Sequence, residues 1–381
     1  AGCAATPAAP ASLVVVGGRV WTADPAQPWA EAVAVTGNRI AAVGTDVAIR
    51  RLIGPDTEVV EAVGGMVCPG FIDSHVHLLD GGFSLASVQL RDAASRDEFV
   101  ARIAAFAATV PAGTWITNGN WDHERWGGAL PRRDWIDAVT QQHPVLINRL
   151  DGHMVLANSL AMRLAGLGDD CVDVDGGEVV RDGDGRPTGV FKDNAMGALY
   201  AAQPSPPPLL QHRALDAAMR HLAAQGVTSV HDMAGGAIDG DAFGHLDVLE
   251  RARAAGRMCT RVYAAVPLSL WPRLAERIAA RGRGDEWLRI GALKGFVDGS
   301  LGSHTAAFDQ PFTDAPQARG LLVVDPTDLY REVAGADRAG LQVMVHAIGD
   351  RAIGTLLDVY QRVQREHGPR ERRQRVEHAQ H

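Results

Sequence analysis

From Leu13 onward the chain alternates short β-branched runs with turn residues: Leu13 to Val16, a Gly17-Gly18 turn, Arg19 to Thr22, Ala30 to Thr36, a Gly37-Asn38 turn and Arg39 to Val43. Tight Gly-containing turns between such runs predict β hairpins. A further run from Glu58 to Ala62, with Gly64-Gly65 behind it, closes a small β domain expected over residues 13–66.

The pattern then changes. Val67 to Asp73 is a short apolar run without polar alternation, which predicts a strand buried on both faces of a parallel sheet. Comparable runs recur at Gly226 to Met233, Arg261 to Val266, Ile290 to Asp298, Leu341 to His346 and Arg375 to His378. Helical patterns lie between most of them, at Gln211 to Gln225, Phe243 to Ala255, Asp328 to Ala339 and Ala352 to Glu366. Strand and helix alternating in this way predict βα units and an α/β fold. Six such strands suit an interrupted or incomplete (β/α) barrel better than an open sheet, although periodicity leaves a doubly wound fold open. The stretch from Leu79 to Gln225 is too long for a βα loop and predicts a lid or subdomain over the barrel mouth. It carries Trp115, Trp121, Trp126 and Trp135 and a Gly/Asp-rich piece from Gly168 to Gly189.

Composition narrows the class. A chain of 381 residues, 46% hydrophobic and 22% charged, can build one large core plus a satellite domain. Its net charge of −8, with no extended basic run, argues against a nucleic-acid partner. No apolar stretch approaches the roughly 20 residues that span a bilayer as a helix. The four cysteines are widely spaced and include no C-x-x-C pair, which makes a disulfide framework or zinc knuckle improbable. Residues 1–12 form an Ala/Pro/Thr-rich run expected to be a disordered tether. Its start, Ala1-Gly2-Cys3, resembles the end of a bacterial lipoprotein signal, implying lipid on Cys3, membrane attachment and a place in the cell envelope or periplasm. A cytoplasmic, Ala-rich chain is the alternative.

His75-Val76-His77 follows directly on the first buried strand, and side chains two apart in an extended chain point the same way, so both imidazoles can serve one ion. H-x-H alone is a weak signal, but the C-terminal end of a barrel strand is where such folds place catalytic groups. His346 closes the run LQVMVH and His378 closes RVEH. A single strand-end histidine is more often bonded to backbone than to metal. Four in corresponding places make that coincidence unattractive. Lys294 lies inside the apolar run IGALKGFVD, where an ammonium is costly without a partner. Burial lowers its pKa, and a neutral amine can add carbon dioxide to give a carbamate, a carboxylate-like ligand.

The run PGFIDSHVHL (Pro69 to Leu78) resembles the strand-one signature of the amidohydrolase superfamily, and the hairpins before it resemble that superfamily's N-terminal half-sandwich. More narrowly, DGHMVLANSLAM (Asp151 to Met162), PTGVFKDNA (Pro187 to Ala195), LKGFVDGSLGSHTAAF (Leu293 to Phe308), VHAIGDRAI (Val345 to Ile353) and RVEHAQ (Arg375 to Gln380) are similar to the amidohydrolase-3 branch, which includes N-substituted formamide deformylases. The resemblance runs from about Leu13 to the end. It implies a TIM-like (β/α)₈ barrel over residues 67–381, with a long insertion at 79–225 after strand one. It also implies a divalent metal, zinc first among candidates, as one or two ions. His75, His77, carboxylated Lys294, His346 and His378 would be its ligands, and Lys294, His346 and His378 would also have catalytic roles. Members hydrolyse amide-type C–N bonds with water activated by the metal.

Two departures stand out. An acidic residue is expected near Lys192, where the sequence reads Lys192-Asp193, and this leaves open a different local ion pair or substrate preference. The chain also ends three residues past His378, so the barrel is expected to stop after strand six, short of the strand-eight Asp. Asp298 and Asp350 are acidic and close to candidate ligands, but beside glycines they are expected to serve turns and caps.

The expected activity is hydrolysis of small amides, N-formyl compounds or cyclic amides. The alternatives are a deaminase or lactonase on the same scaffold, or a non-catalytic envelope protein that binds metal or a ligand. Trp121 and His153 are expected to bind substrate. The segment NGNWDHERW is too polar for an ordinary core, so one face of the Trp121 and Trp126 rings should be exposed to an apolar N-substituent.

Overall fold

The computed structural model describes residues 10–150, 154–174, 177–233, 242–299, 301 and 305–381, with the side chains of 193 and 194 excepted. Cys3 and His153 lie outside the described residues. Two compact units divide between Phe71 and Ile72.

The first unit contains β1 (Leu13–Val16), β2 (Arg19–Trp21), β3 (Trp29–Ala30), β4 (Ala32–Thr36), β5 (Arg39–Gly44), α1 (Asp46–Arg50), β6 (Glu58–Glu61) and β7 (Met66–Val67). One sheet has the order β5-β4-β1-β6 and the other β3-β2-β7. The expected single strand from Ala30 to Thr36 is divided, because Ala30 pairs with β2 while Ala32 to Thr36 serve the other sheet. Alternation sends Val14, Val16, Ala32 and Ala34 into a core shared with Ile49. Ala11 joins that core and its N–H donates to the Leu52 carbonyl at 2.9 Å. The described end of the expected tether is therefore part of the fold.

The barrel begins later than expected. Met66-Val67 pairs with β2, and Pro69, which has no N–H to give a ladder, separates it from β8 (Phe71–Val76). Nor is β8 buried on both faces: it is an edge strand, with Phe71 60% and Ile72 65% exposed.

The insertion builds its own sheet. It comprises α2 (Leu78–Ala86), α3 (Arg96–Ala107), β9 (Ile116–Trp121), α4 (Arg133–Ile136), β10 (Val145–Arg149), β11 (Met154–Ala157), α5 (Ser159–Leu164), β12 (Gly177–Arg181), β13 (Pro187–Asp193), α6 (Gly197–Ala202) and α7 (Pro208–Ala224). The strand order is β12-β13-β11-β10-β9, with apolar clusters around Phe99, Ile116 and Ile147 and around Leu146, Met162 and Phe191. Gly82 of α2 lies so close to α7 that a Cβ there would stand 2.2 Å from the Ala214 carbonyl oxygen.

The remaining elements are β14 (Val227–Asp232), α8 (Ala242–Ala254), β15 (Arg261–Pro267), α9 (Trp271–Arg281), β16 (Leu288–Phe296), α10 (Pro326–Arg338), β17 (Gln342–Ala347), α11 (Asp350–His367) and β18 (Arg375–His378). They complete a six-stranded sheet of order β18-β17-β16-β15-β14-β8, parallel from β14 to β18. Period-two alternation sends Val262, Ala264, Leu293, Val343 and Val345 outward to the helices, while Tyr263, Ala265, Ala292 and Met344 cluster on the other face with Met233. Both faces are thus apolar, which is why these strands read as continuous hydrophobic runs. The sheet curls into a nearly closed barrel, so that Arg375 of β18 donates to the Ser74 carbonyl of β8 at 2.7 Å across the gap between its edges.

Candidate metal centre

The five side chains singled out by the strand pattern meet at the C-terminal end of the barrel. His75 stands on β8, Lys294 on β16, His346 on β17 and His378 ends β18, while His77 is the N-cap residue of α2. The His75 and His77 rings lie 5.8 Å apart, His75 and His378 4.6 Å, and His346 and His378 4.7 Å. Lys294 Nζ is 3.5 Å from His75 Nε2 and sits over the Phe296 ring. His378 has a φ of 70°, a conformation uncommon for a non-glycine residue and typical of functional sites.

Burial lowers three of the five candidate donors, Lys294, His378 and His75. Burial pushes the Lys294 ammonium down to about 8, with Arg375 acting in the same sense and Glu377 opposing it. Burial also lowers His378, to about 4, and His346, His75 and Lys294 add to the effect. The His75 imidazole is lowered chiefly by burial, against its hydrogen bond to Glu377.

Hydrogen bonding selects which lone pairs remain. His75 Nδ1 bonds to the Glu377 carboxylate, which leaves the Nε2 lone pair facing Lys294 Nζ. His346 Nε2 lies 2.8 Å from the Gly299 carbonyl oxygen. A carbonyl only accepts, so Nε2 carries a proton and Nδ1 is the ring nitrogen left to face an ion. Among the described residues no three His, Cys, Asp or Glu side chains yet surround a common point as ligands; the rings pack against one another. The donor set nevertheless fits a divalent ion, since several imidazoles with one oriented by a carboxylate are the usual supports of such sites.

Several partners escaped sequence reasoning. Glu377, 4% exposed, is held by Arg375, whose guanidinium also meets His231. Asp232, fully buried, accepts from the Leu78 N–H at 3.1 Å, one residue past His77, and pairs with buried His245 at 2.6 Å. The available signal was an acid within a short apolar run, which requires a partner. Lys192 does form a different local ion pair, 2.9 Å from Glu178. Asp350 accepts from the Asp309 N–H, in keeping with a turn or cap role.

The aromatic expectation is corrected for Trp121. Trp121 is completely buried within the insertion core, and its Nε1 donates to the Ile147 carbonyl at 3.0 Å. Trp126 is partly buried, packs on Phe99 and donates to the Ala129 carbonyl. The polar residues around Trp121 do not prevent this. Strand alternation buries Trp121 while Asn118 and Asn120, both at positive φ, bond to Ser87 and Ser84 of α2 and its end. Of the tryptophans, Trp115 lines a cavity of about 420 Å³, with Phe83, Phe106, Pro206 and Leu210, and none of the five candidate ligands borders it.

Residues 58–381 match the Amidohydrolase family. Protein LONG AFTER FAR-RED 3 of Arabidopsis thaliana is 38% identical over 97% of this chain and 64% of its own length. N-substituted formamide deformylase of Arthrobacter pascens is 30% identical over 93% of this chain and 66% of its own length. The chain thus spans slightly less than two thirds of these relatives. An uncharacterized metal-dependent hydrolase from Pyrococcus furiosus superposes with a TM-score of 0.74 at 26% identity, over 92% of this chain and 70% of that structure. With the family matched across most of its length and the histidines gathered at one end of a metal-dependent hydrolase fold, the chain belongs to the amidohydrolase family.

Proposed function

We propose that the protein hydrolyses non-peptide C–N bonds of a small molecule, an amide or N-formyl compound, at a divalent-metal centre held by His75, His77, Lys294, His346 and His378. The observation that carries this reading is the gathering of four imidazoles and one buried lysine at the ends of four barrel strands, with His77 just past the first. The formamide deformylase relative supports the substrate class. A bound divalent ion, zinc first among candidates, would supply a Lewis acid that acidifies water and polarises the scissile carbonyl.

The chain's own groups prepare that chemistry. Glu377 accepts from His75 Nδ1 and fixes the ring with Nε2 turned toward Lys294. The unprotonated fraction of Lys294, enlarged because burial lowers its ammonium to about 8, can add through nitrogen to the carbon of CO₂ and release a proton, leaving an anionic carbamate suited to share charge with a cation. His378, lowered to about 4 chiefly by burial, is a neutral donor at physiological pH, and His346 is oriented by the Gly299 carbonyl.

Metal analysis of the purified protein should find about one to two ions per chain, as expected for such a hydrolase. Unchanged occupancy in a His75→Ala, His77→Ala double variant would remove the reading. Formate release from N-alkyl or N-aryl formamides by the full-length protein tests the substrate class.

A further inference from the structure

We propose that Asp298 is a positioning residue for His346, fixing that ring so that its Nδ1 is presented to the divalent ion; the inference rests on the metal centre proposed above.

Asp298 follows β16 and is 2% exposed. Its Oδ1 accepts from the Ile348 N–H at 3.0 Å, and its Oδ2 accepts from Gly349 at 2.9 Å and Ala307 at 2.8 Å. Two of these donors follow His346 by two and three residues and lead into α11, whose N-cap Gly349 has no side chain to satisfy them. A buried carboxylate that collects three backbone N–H groups from two segments ties those segments together.

The neighbours of Asp298 complete the grip. The Val297 N–H donates to the His346 carbonyl at 2.9 Å, and the Gly299 carbonyl accepts from His346 Nε2 at 2.8 Å. Three consecutive residues therefore hold the backbone of His346, the chain just after it, and its ring. Asp298 Oδ1 itself comes within 3.4 Å of Nε2. The packing leaves little room for an alternative, because a Cβ on Gly349 would lie 2.0 Å from the Ala307 carbonyl oxygen and one on Gly299 2.1 Å from Thr305 Oγ1. Removing the carboxylate frees the Ile348-Gly349 peptides and with them the Gly299 carbonyl's alignment to the ring. Losing such an outer support of a ligating histidine lowers metal affinity about 10–100-fold.

The test uses the full-length protein. Zinc affinity is measured by competition with a chromophoric chelator for wild type, Asp298→Asn and, as a control, Asp337→Asn. The control removes an equally buried carboxylate whose partners, His367, Arg370 and Arg372, are not candidate ligands. The proposal expects a roughly 10–100-fold loss in Asp298→Asn, with wild-type affinity in Asp337→Asn even if both melt at lower temperature. Equal losses in the two variants, or wild-type affinity in Asp298→Asn, overturn it. Should Asp298→Asn fail to fold, ¹⁵N spectra of the metal-free wild type decide the matter. A His346 ring protonated on Nε2 supports the proposal and one protonated on Nδ1 overturns it. Wild type that binds no zinc would instead remove the metal centre itself, a result distinct from either.

Discussion

Replacing Trp121 separates packing from substrate contact. The indole is completely buried, and its N–H bonds to the Ile147 carbonyl. A buried tryptophan removes about 150–250 Å² from water, which at about 25 cal/mol per Å² is worth about 4–6 kcal/mol. Alanine keeps a fraction of that, and measured truncations of this kind cost about 3–5 kcal/mol. Loss of the indole hydrogen bond adds about 1 kcal/mol where water cannot replace it. Trp121→Ala is therefore expected to destabilise the insertion by about 4–6 kcal/mol, a large fraction of an ordinary domain's stability. Trp121→Phe, which keeps a ring but loses the N–H, should cost about 1–2 kcal/mol. Urea unfolding followed by far-ultraviolet circular dichroism gives both values, and KM for apolar amides should stay near wild type in Trp121→Phe. An alanine variant as stable as wild type but with raised KM would refute the burial argument and return Trp121 to the binding surface.

Gly82→Ala should lower the melting temperature, because its Cβ would meet the Ala214 carbonyl oxygen at 2.2 Å. Forced overpacking of this kind costs about 1–3 kcal/mol, and an unchanged melting curve would show that α2 and α7 can separate freely. The acid limb of stability should depend on Asp337. Burial pushes its carboxyl up, but hydrogen bonds from Arg372, His367 and Arg370 outweigh this and hold it below its ordinary value. A lowered folded-state pKa contributes stability that is present above the unfolded value, near 3.9, and lost as pH falls through the folded one. Asp337→Asn should therefore lie below wild type at neutral pH and converge on it in urea melts taken toward pH 3; parallel curves at all pH values would contradict the assignment.

Much of the barrel was legible because its signals are local. Apolar runs without alternation mark strands covered on both faces, and His75, His77, Lys294, His346 and His378 each fall at or near such a run's C-terminal end. Chain direction and a period of two are enough to send those side chains toward one end of a parallel sheet. The sequence by itself therefore determined the fold class, the alternation of strand and helix, and which residues are candidates to meet.

It did not determine which groups would hold them. Glu377 acts on His75 from 302 positions away, and Asp298 acts on the amides of Ile348 and Gly349 from 50 and 51 positions away. Such pairings depend on how far the sheet curls and which strand ends become neighbours, and no local periodicity encodes either. The same holds for Trp121, whose polar flanks pointed to solvent while a five-stranded sheet and its helices closed over the ring. Residue type and spacing set what a side chain can do. Only the tertiary structure decides whether water or protein surrounds it, because burial is a property of the surface supplied by the rest of the chain.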